Sequence, residues 1–237
     1  MPAARLRLLT RLCSLNHFLG TFTSGVTSFL EVDTTSEAVL TRPRLDDAGR
    51  ALLFTDARTA NSFSPAPVSD EELAEIWELA KWPPTAANIQ PLRVLYVRTE
   101  AGKQRLVSHM NEGNQAKTAT APAVAVLAFD SSFHDHIPHV NPIKPELKDV
   151  LAANSEMANG MGRFSAGLQV GYFLLAVRAA GLVAGPMAGF DAAGMDADFF
   201  PDGRFKSLLV VNIGHPGENP WYPRLPRLPH ESAVQWA

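Results

Sequence analysis

Residues Ala121 to Phe129 run Ala-Pro-Ala-Val-Ala-Val-Leu-Ala-Phe without one polar side chain. A strand with a wet face alternates apolar and polar residues, so a strand lacking alternation has both faces covered. Such a strand commits the chain to a sheet packed between helices. Leu92 to Val97 and Leu208 to Ile213 read as further strands. The covering helices announce themselves as well. Ser69-Asp70-Glu71-Glu72 is a capping box, and the helix behind it places Leu73, Ile76, Trp77 and Ala80 on one face. Ser155 to Ala180 is the longest helical pattern. Its second half, Leu168 to Ala179, is apolar nearly all round, which predicts a central buried helix stopped by Gly181 as its C′ glycine. Shorter helices are predicted from Leu45 to Ala57, behind Asp46 and Asp47, over Gly102 to Met110, over Asn114 to Thr118, and from about His230. Residues 130–146, broken by Pro138, Pro142 and Pro145, read as a long, mobile excursion. Strands and helices do not alternate as regular βαβ units, so the expected class is α+β.

With 237 residues and 46% hydrophobic content, the chain can bury a full core as one domain. A net charge of -3 spread over both signs leaves no polybasic field for nucleic acid or an anionic membrane. Cys13 is the sole cysteine, which excludes an intramolecular disulfide and any multi-cysteine metal site and fits a reducing cytoplasm. No apolar run approaches the roughly 20 residues needed to span a bilayer. The first 42 residues carry Arg5, Arg7 and Arg11, no acid before Glu31, and much Leu, Ser and Thr. They read either as an organelle transit peptide or, preferably, as a non-native extension from an upstream start codon. Residues 1–42 are therefore expected to be a poorly packed extension, and residues 43–237 the functional domain.

Four segments carry residues suited to chemistry. Trp82-Pro83-Pro84-Thr85-Ala86-Ala87-Asn88-Ile89-Gln90-Pro91 joins a helix to a strand. It either merely ends the helix or forms a stiff polar wall on a rigid scaffold. Asp56-Ala57-Arg58-Thr59-Ala60-Asn61-Ser62-Phe63 sets a guanidinium beside a hydroxyl and an amide, which suits an oxyanion, though a solvated helix end has the same composition. Gly185-Pro186-Met187-Ala188-Gly189-Phe190-Asp191 is either a tight turn or a backbone that approaches a ligand closely. Arg224-Leu225-Pro226-Arg227-Leu228-Pro229 adds two cations before the terminal helix. His134, Asp135, His136 and His139 are metal-like residue types without a ligand spacing, and read as a solvated loop. There is no P-loop or dinucleotide fingerprint, and Ser165 and Ser207 lack a nucleophile-elbow context.

Pro84-Thr85-x-x-Asn88-x-x-Pro91 resembles the flavin-contacting loop of the nitroreductase family, the FMN-dependent NAD(P)H oxidoreductases. The other three segments resemble that family's motifs in the same order, from about Ala51 to Val234. The resemblance implies a mixed central sheet flanked by helices, in an intertwined homodimer with FMN at the interface and the tail from Trp221 to Ala237 as an arm across the partner. It implies that Arg58 and Thr59 hold the FMN phosphate and ribityl chain, with Asn61 where the family often has a second basic residue. Pro84, Thr85 and Asn88 would line the isoalloxazine ring, and the main-chain N–H groups of Ala188 and Gly189 would face N5 and O4. Arg227, or Arg224 as second choice, would reach back to the phosphate. The runs Lys81-Trp82-x-Pro84-Thr85-x-Ala87-Asn88, Gly185-Pro186-Met187-x-Gly189-Phe190-Asp191 and Arg224-Leu225-Pro226-Arg227-Leu228 look most like the malonic semialdehyde reductase branch. Ile89 and Gln90 are more like generic nitroreductases, and Leu92 stands where the family often has Trp. The implied activity is a ping-pong hydride transfer from NAD(P)H through FMN N5 to a small aldehyde, with no protein residue compelled to act as acid or base. A broad nitro or quinone reductase, or a flavin-binding protein without turnover, is the alternative.

Overall fold

A computed structural model describes residues 42–237. The expectations for the N-terminal extension therefore lie outside the described residues. In chain order, α1 (Asp47–Arg50) widens into a π-helical turn (Ala51–Thr55), and α2 (Asp70–Ala80) follows. Next come β1 (Leu92–Val97), α3 (Glu100–Ser108), α4 (Glu112–Thr120) and β2 (Ala123–Asp130). A 3₁₀ turn (Phe133–His136) leads through α5 (Ile137–Val140) and α6 (Leu147–Ala153) to α7 (Ser155–Ala179). The chain ends with β3 (Val183–Met187), α8 (Ala192–Phe199), β4 (Phe205–Gly214) and α9 (His230–Ala233).

The four strands lie in the order β1-β2-β4-β3, and every pair is antiparallel. The expected mixed sheet is thus corrected for the described residues. All eight residues of β2 are buried, as its missing alternation required. Ala123, Ala125 and Leu127 face α2 and α7, packing with Leu73, Ile76, Phe173 and Val177. Val124, Val126 and Ala128 face the other layer, with Leu106 of α3 and Met195 of α8. At roughly 25 cal/mol per Å² of apolar area removed from water, these two layers supply the main drive to fold.

Local signals set the helix ends. The Ser69–Glu72 capping box closes in both directions, at 3.1 Å (Glu72 N to Ser69 Oγ) and 2.7 Å (Ser69 N to Glu72 Oε2). Gly181 takes φ 76°, and its N–H and that of Leu182 bond the carbonyls of Arg178 and Val177, the paired bonds of a Schellman stop. Two expectations need correction. Residues 130–146 are not a loose excursion: Phe133 and Ile137 are fully buried and join Ile89, Phe129 and Leu151 in a third apolar cluster. The second half of α7 is not buried all round either: Leu168 and Tyr172 are exposed, continuing a face that carries Phe164, 70% exposed, in the first half. Gly162 explains how α7 comes so close to that third cluster, because a Cβ there would stand 2.2 Å from the Phe129 ring.

Candidate functional site

The segment after the first helix is threaded between β3 and the C-terminal tail. Ala60 N donates to Ala184 O at 3.0 Å and Asn61 N to Pro220 O at 3.0 Å. Ser62 Oγ donates to Glu218 O at 2.6 Å, and Phe63 bridges Pro216. The tail therefore follows this segment residue by residue, and the two outer arginines interlock. The Arg58 guanidinium donates to Tyr222 O, and Arg224 Nη2 to Ala57 O at 3.3 Å.

A cavity of about 320 Å³ opens between them, lined by Arg58, Thr59, Asn61, Arg178, Arg224 and Arg227 among others. No acidic side chain lines it. Among the described residues, none of these four arginines forms an ion pair with a carboxylate. Four arginines without a carboxylate partner around one cavity suit an anion, since a guanidinium offers a planar fork of donors. All five residues expected at the phosphate end thus meet here. Arg178 joins them from the last turn of α7, its Nη1 donating to Leu53 O at 2.9 Å, and its burial lowers its pKa from the ordinary arginine value. The sequence offered no signal for Arg178 beyond its being the one cation in an apolar helical stretch.

The helix α4 links this cavity to the Gly185–Asp191 segment. Lys117 Nζ lies 3.5 Å from Asn61 Oδ1, so a cation from another element stands beside the position where Asn61 replaces a basic residue. Three residues earlier, Asn114 Nδ2 donates to Gly189 O at 3.0 Å, and Asn111 N donates to the same oxygen at 3.1 Å. Those bonds use the Gly189 carbonyl. The N–H groups of Ala188 and Gly189 have no acceptor among the described residues, so two adjacent main-chain donors remain available. The turn is held from outside by Asp191 N, which donates to His109 O at 2.8 Å, and by the Met110–Phe190 bridge. His109 Nε2 in turn lies 3.1 Å from Asp198 Oδ2, and Arg105 grips the same carboxylate. These hydrogen bonds, Arg105's first, hold the Asp198 carboxyl below the usual carboxylate range.

The proline loop lies elsewhere. None of Pro84, Thr85 and Asn88 lines the arginine cavity. Ile89 plugs the loop into the third apolar cluster, while Gln90 and Arg93 edge a separate cavity of about 410 Å³ with Trp77, Tyr96 and His136. Thr85 Oγ1 accepts from Gln90 N at 3.3 Å, and Asn88 Nδ2 donates to Val140 O at 2.6 Å. Beneath the loop, the fully buried Asp130 carboxylate accepts from Arg204 at 2.8 and 3.0 Å and pairs with Arg93 at 2.8 Å. Arg93 Nη1 also donates to Gln90 O at 2.9 Å, tying the loop to the sheet through that ion pair. Among the described residues, no three His, Cys, Asp or Glu converge as metal ligands, and no helix is long and apolar enough to cross a membrane.

A cavity for an anion, joined by α4 to a pair of free main-chain donors on an α+β scaffold, matches a known class. The sequence pattern of the nitroreductase family matches residues 55–215. The chain belongs to that family. It is 57% identical over 195 residues to a Streptomyces coelicolor protein with the provisional name NADH dehydrogenase/NAD(P)H nitroreductase, covering 82% of this chain and 96% of that one. A Streptomyces griseus protein with the same provisional name is 48% identical over 190 residues, covering 80% and 96%. The fold also superimposes on a nitroreductase solved with FMN from Exiguobacterium sibiricum, with a TM-score of 0.67 at 21% identity, covering 83% of this chain and 100% of that one.

Proposed function

We propose that this chain, a flavin-dependent NAD(P)H oxidoreductase that uses FMN and NAD(P)H, reduces the small aldehyde 3-oxopropanoate to 3-hydroxypropanoate as a cytoplasmic homodimer. The observation that carries the cofactor reading is the cavity of Arg58, Arg178, Arg224 and Arg227, which no acidic side chain neutralises. A phosphomonoester fits that donor set, and Thr59 and Asn61 extend it with neutral polar groups. The unengaged N–H groups of Ala188 and Gly189 fit the polar edge of the flavin ring, with Lys117 as a further cation on the path between. When bound, FMN supplies the two-electron carrier that accepts hydride from the nicotinamide and yields it to the acceptor. The chain's own residues bind and orient. The arginines fix one end of the ligand, and the 188–189 donors favour electron density at the other. No carboxyl or imidazole stands among those donors, so the proton for the alcohol product would come from solvent water.

The homodimer reading rests on three features. Pro84, Thr85 and Asn88 lie away from the arginine cavity of their own chain, so a second chain would bring its loop to it. The face of α7 with Phe164, Leu168 and Tyr172 is exposed and apolar, interleaved with Gly167 and Gly171. The tail exposes Tyr222, Leu225, Leu228 and Trp236, an apolar series fitted to an arm across a partner. The aldehyde substrate rests on the Gly185–Asp191 and Arg224–Leu228 runs and their likeness to the malonic semialdehyde reductase branch. The provisional nitroreductase name of the 57% identical relative favours a nitro or quinone acceptor as the second reading. Steady-state rates with NADPH for 3-oxopropanoate, a nitroarene and a quinone decide between them. The aldehyde should give the highest kcat/KM; a nitroarene or quinone exceeding it tenfold would overturn the substrate assignment and leave the cofactor intact.

A further inference from the structure

The proline loop holds an unusual backbone. Ala87 (φ 50°), Asn88 (φ 57°) and Gln90 (φ 43°) all lie in the left-handed region, though none is glycine. Asparagine tolerates that region; alanine and glutamine do so only where surrounding bonds enforce it. Two of those bonds come from α7, the element that also crosses the third apolar cluster. Ser165, fully buried, accepts the Ala86 N–H on its Oγ at 3.2 Å. Gln169, 1% exposed, accepts the Leu92 N–H on its Oε1 at 3.0 Å. The two residues are one helical turn apart on the same face, so they hold the chain on either side of the left-handed run. Desolvating a hydroxyl and an amide on an otherwise apolar helix face is unfavourable unless such bonds offset it.

We infer that Ser165 and Gln169 are positioning residues that keep Thr85 to Leu92 in the conformation in which the loop meets the cofactor. They act through main-chain N–H groups and belong to neither the arginine cavity nor the 188–189 turn. This inference rests on the proposed role of the loop at the flavin. The test compares Ser165→Ala, Gln169→Leu and the double variant with Asn88→Ala, which alters the loop's own side chain. FMN dissociation constants and visible flavin spectra are measured on each, with the thermal midpoint of the FMN-free protein as a control for folding. Each α7 variant should weaken FMN binding by up to about tenfold, the worth of one lost hydrogen bond, and displace the flavin absorbance band. The double variant should weaken binding by less than the product of the singles, because both hold one conformation. Ser165→Thr, which retains the acceptor oxygen, should restore most of the affinity, and it keeps the test open if Gln169→Leu fails to fold. Thermal midpoints that fall while FMN affinity and spectrum stay within twofold of the parent would reduce both residues to packing and overturn the inference. If Asn88→Ala also leaves affinity and spectrum unchanged, the loop's role at the flavin fails with it; if only Asn88→Ala weakens binding, the positioning role fails alone.

Discussion

Asp198 shows how far a single charge reaches toward the site. Its carboxylate joins Arg105 and His109 of α3's end, and the His109 carbonyl then receives the Asp191 N–H that fixes the 188–189 turn. Its folded pKa is depressed, so the stabilisation it provides is present above the unfolded value, about 3.9, and is lost as pH falls through the lower folded value. Asp198→Asn should therefore reduce thermal stability at neutral pH, and its difference from the parent should close as pH drops below about 4. A constant difference from pH 7 to pH 3 would contradict this assignment. At this scale the sequence was most legible where charge and position coincide. Arg58, Arg224 and Arg227 stand in recognisable motifs and meet in one cavity. Arg178 and Lys117 arrive from helices whose local sequence points nowhere in particular, and only the packing of α7 and α4 aims them. In the single chain Thr85 bonds within its own loop, and Asn88 ties that loop to Val140 of α5.

Elements were legible in proportion to how locally they are determined. The capping box needs four consecutive residues, and β2 needs only the loss of alternation; both stand as read. The left-handed backbone at Ala87 and Gln90 had no local signature, since it is imposed by α7 and Asn141 rather than chosen by the residues. The exposed flank of α7 was hidden for the opposite reason: apolar residues left exposed and apolar residues facing a core look alike in sequence. Gly162 is the element-scale weak point. Its ideal Cβ would lie 2.2 Å and 2.8 Å from Phe129 ring atoms and 2.9 Å from the Phe133 ring. Overpacking of that kind costs about 1–3 kcal/mol, against the roughly 1 kcal/mol that alanine contributes to a helix over glycine. Gly162→Ala should lower the urea midpoint without changing the slope, and a midpoint at or above the parent's would show that the third cluster yields more easily than its geometry implies.

For the whole molecule, the decisive fact is that Arg58 and Asn88 do not share a cavity within one chain. Arg58→Ala should weaken FMN binding about 10- to 100-fold, since a charge-assisted hydrogen bond contributes roughly 1.5–3 kcal/mol. Asn88→Ala damages the other wall. If each site takes Arg58 from one protomer and Asn88 from its partner, a mixed dimer of the two variants has one doubly damaged site and one intact site. Co-refolding the two inactive chains at limiting FMN should then recover a substantial fraction of parental activity. Absence of recovery, with mixed dimers present, would place both residues at the same site of one chain. The family motifs name the residues of such a site but carry no mark of which copy supplies each. The antiparallel pairing of all four strands was equally out of reach, because direction depends on connections rather than on strand composition.

Arg93 has a second consequence, one of solubility. The strand it belongs to, Leu-Arg-Val-Leu-Tyr-Val, lies at the margin of the sheet and pairs on one side only among the described residues. A marginal strand that is β-branched, aromatic and almost uncharged is a template for aggregation in any chain that has not yet assembled. Arg93 is its one charge, and Asp130 holds that charge in place at 2.8 Å. The ion pair that ties the proline loop to the sheet therefore also keeps a charge on that edge in the folded chain, and a charged edge disfavours strand-on-strand growth.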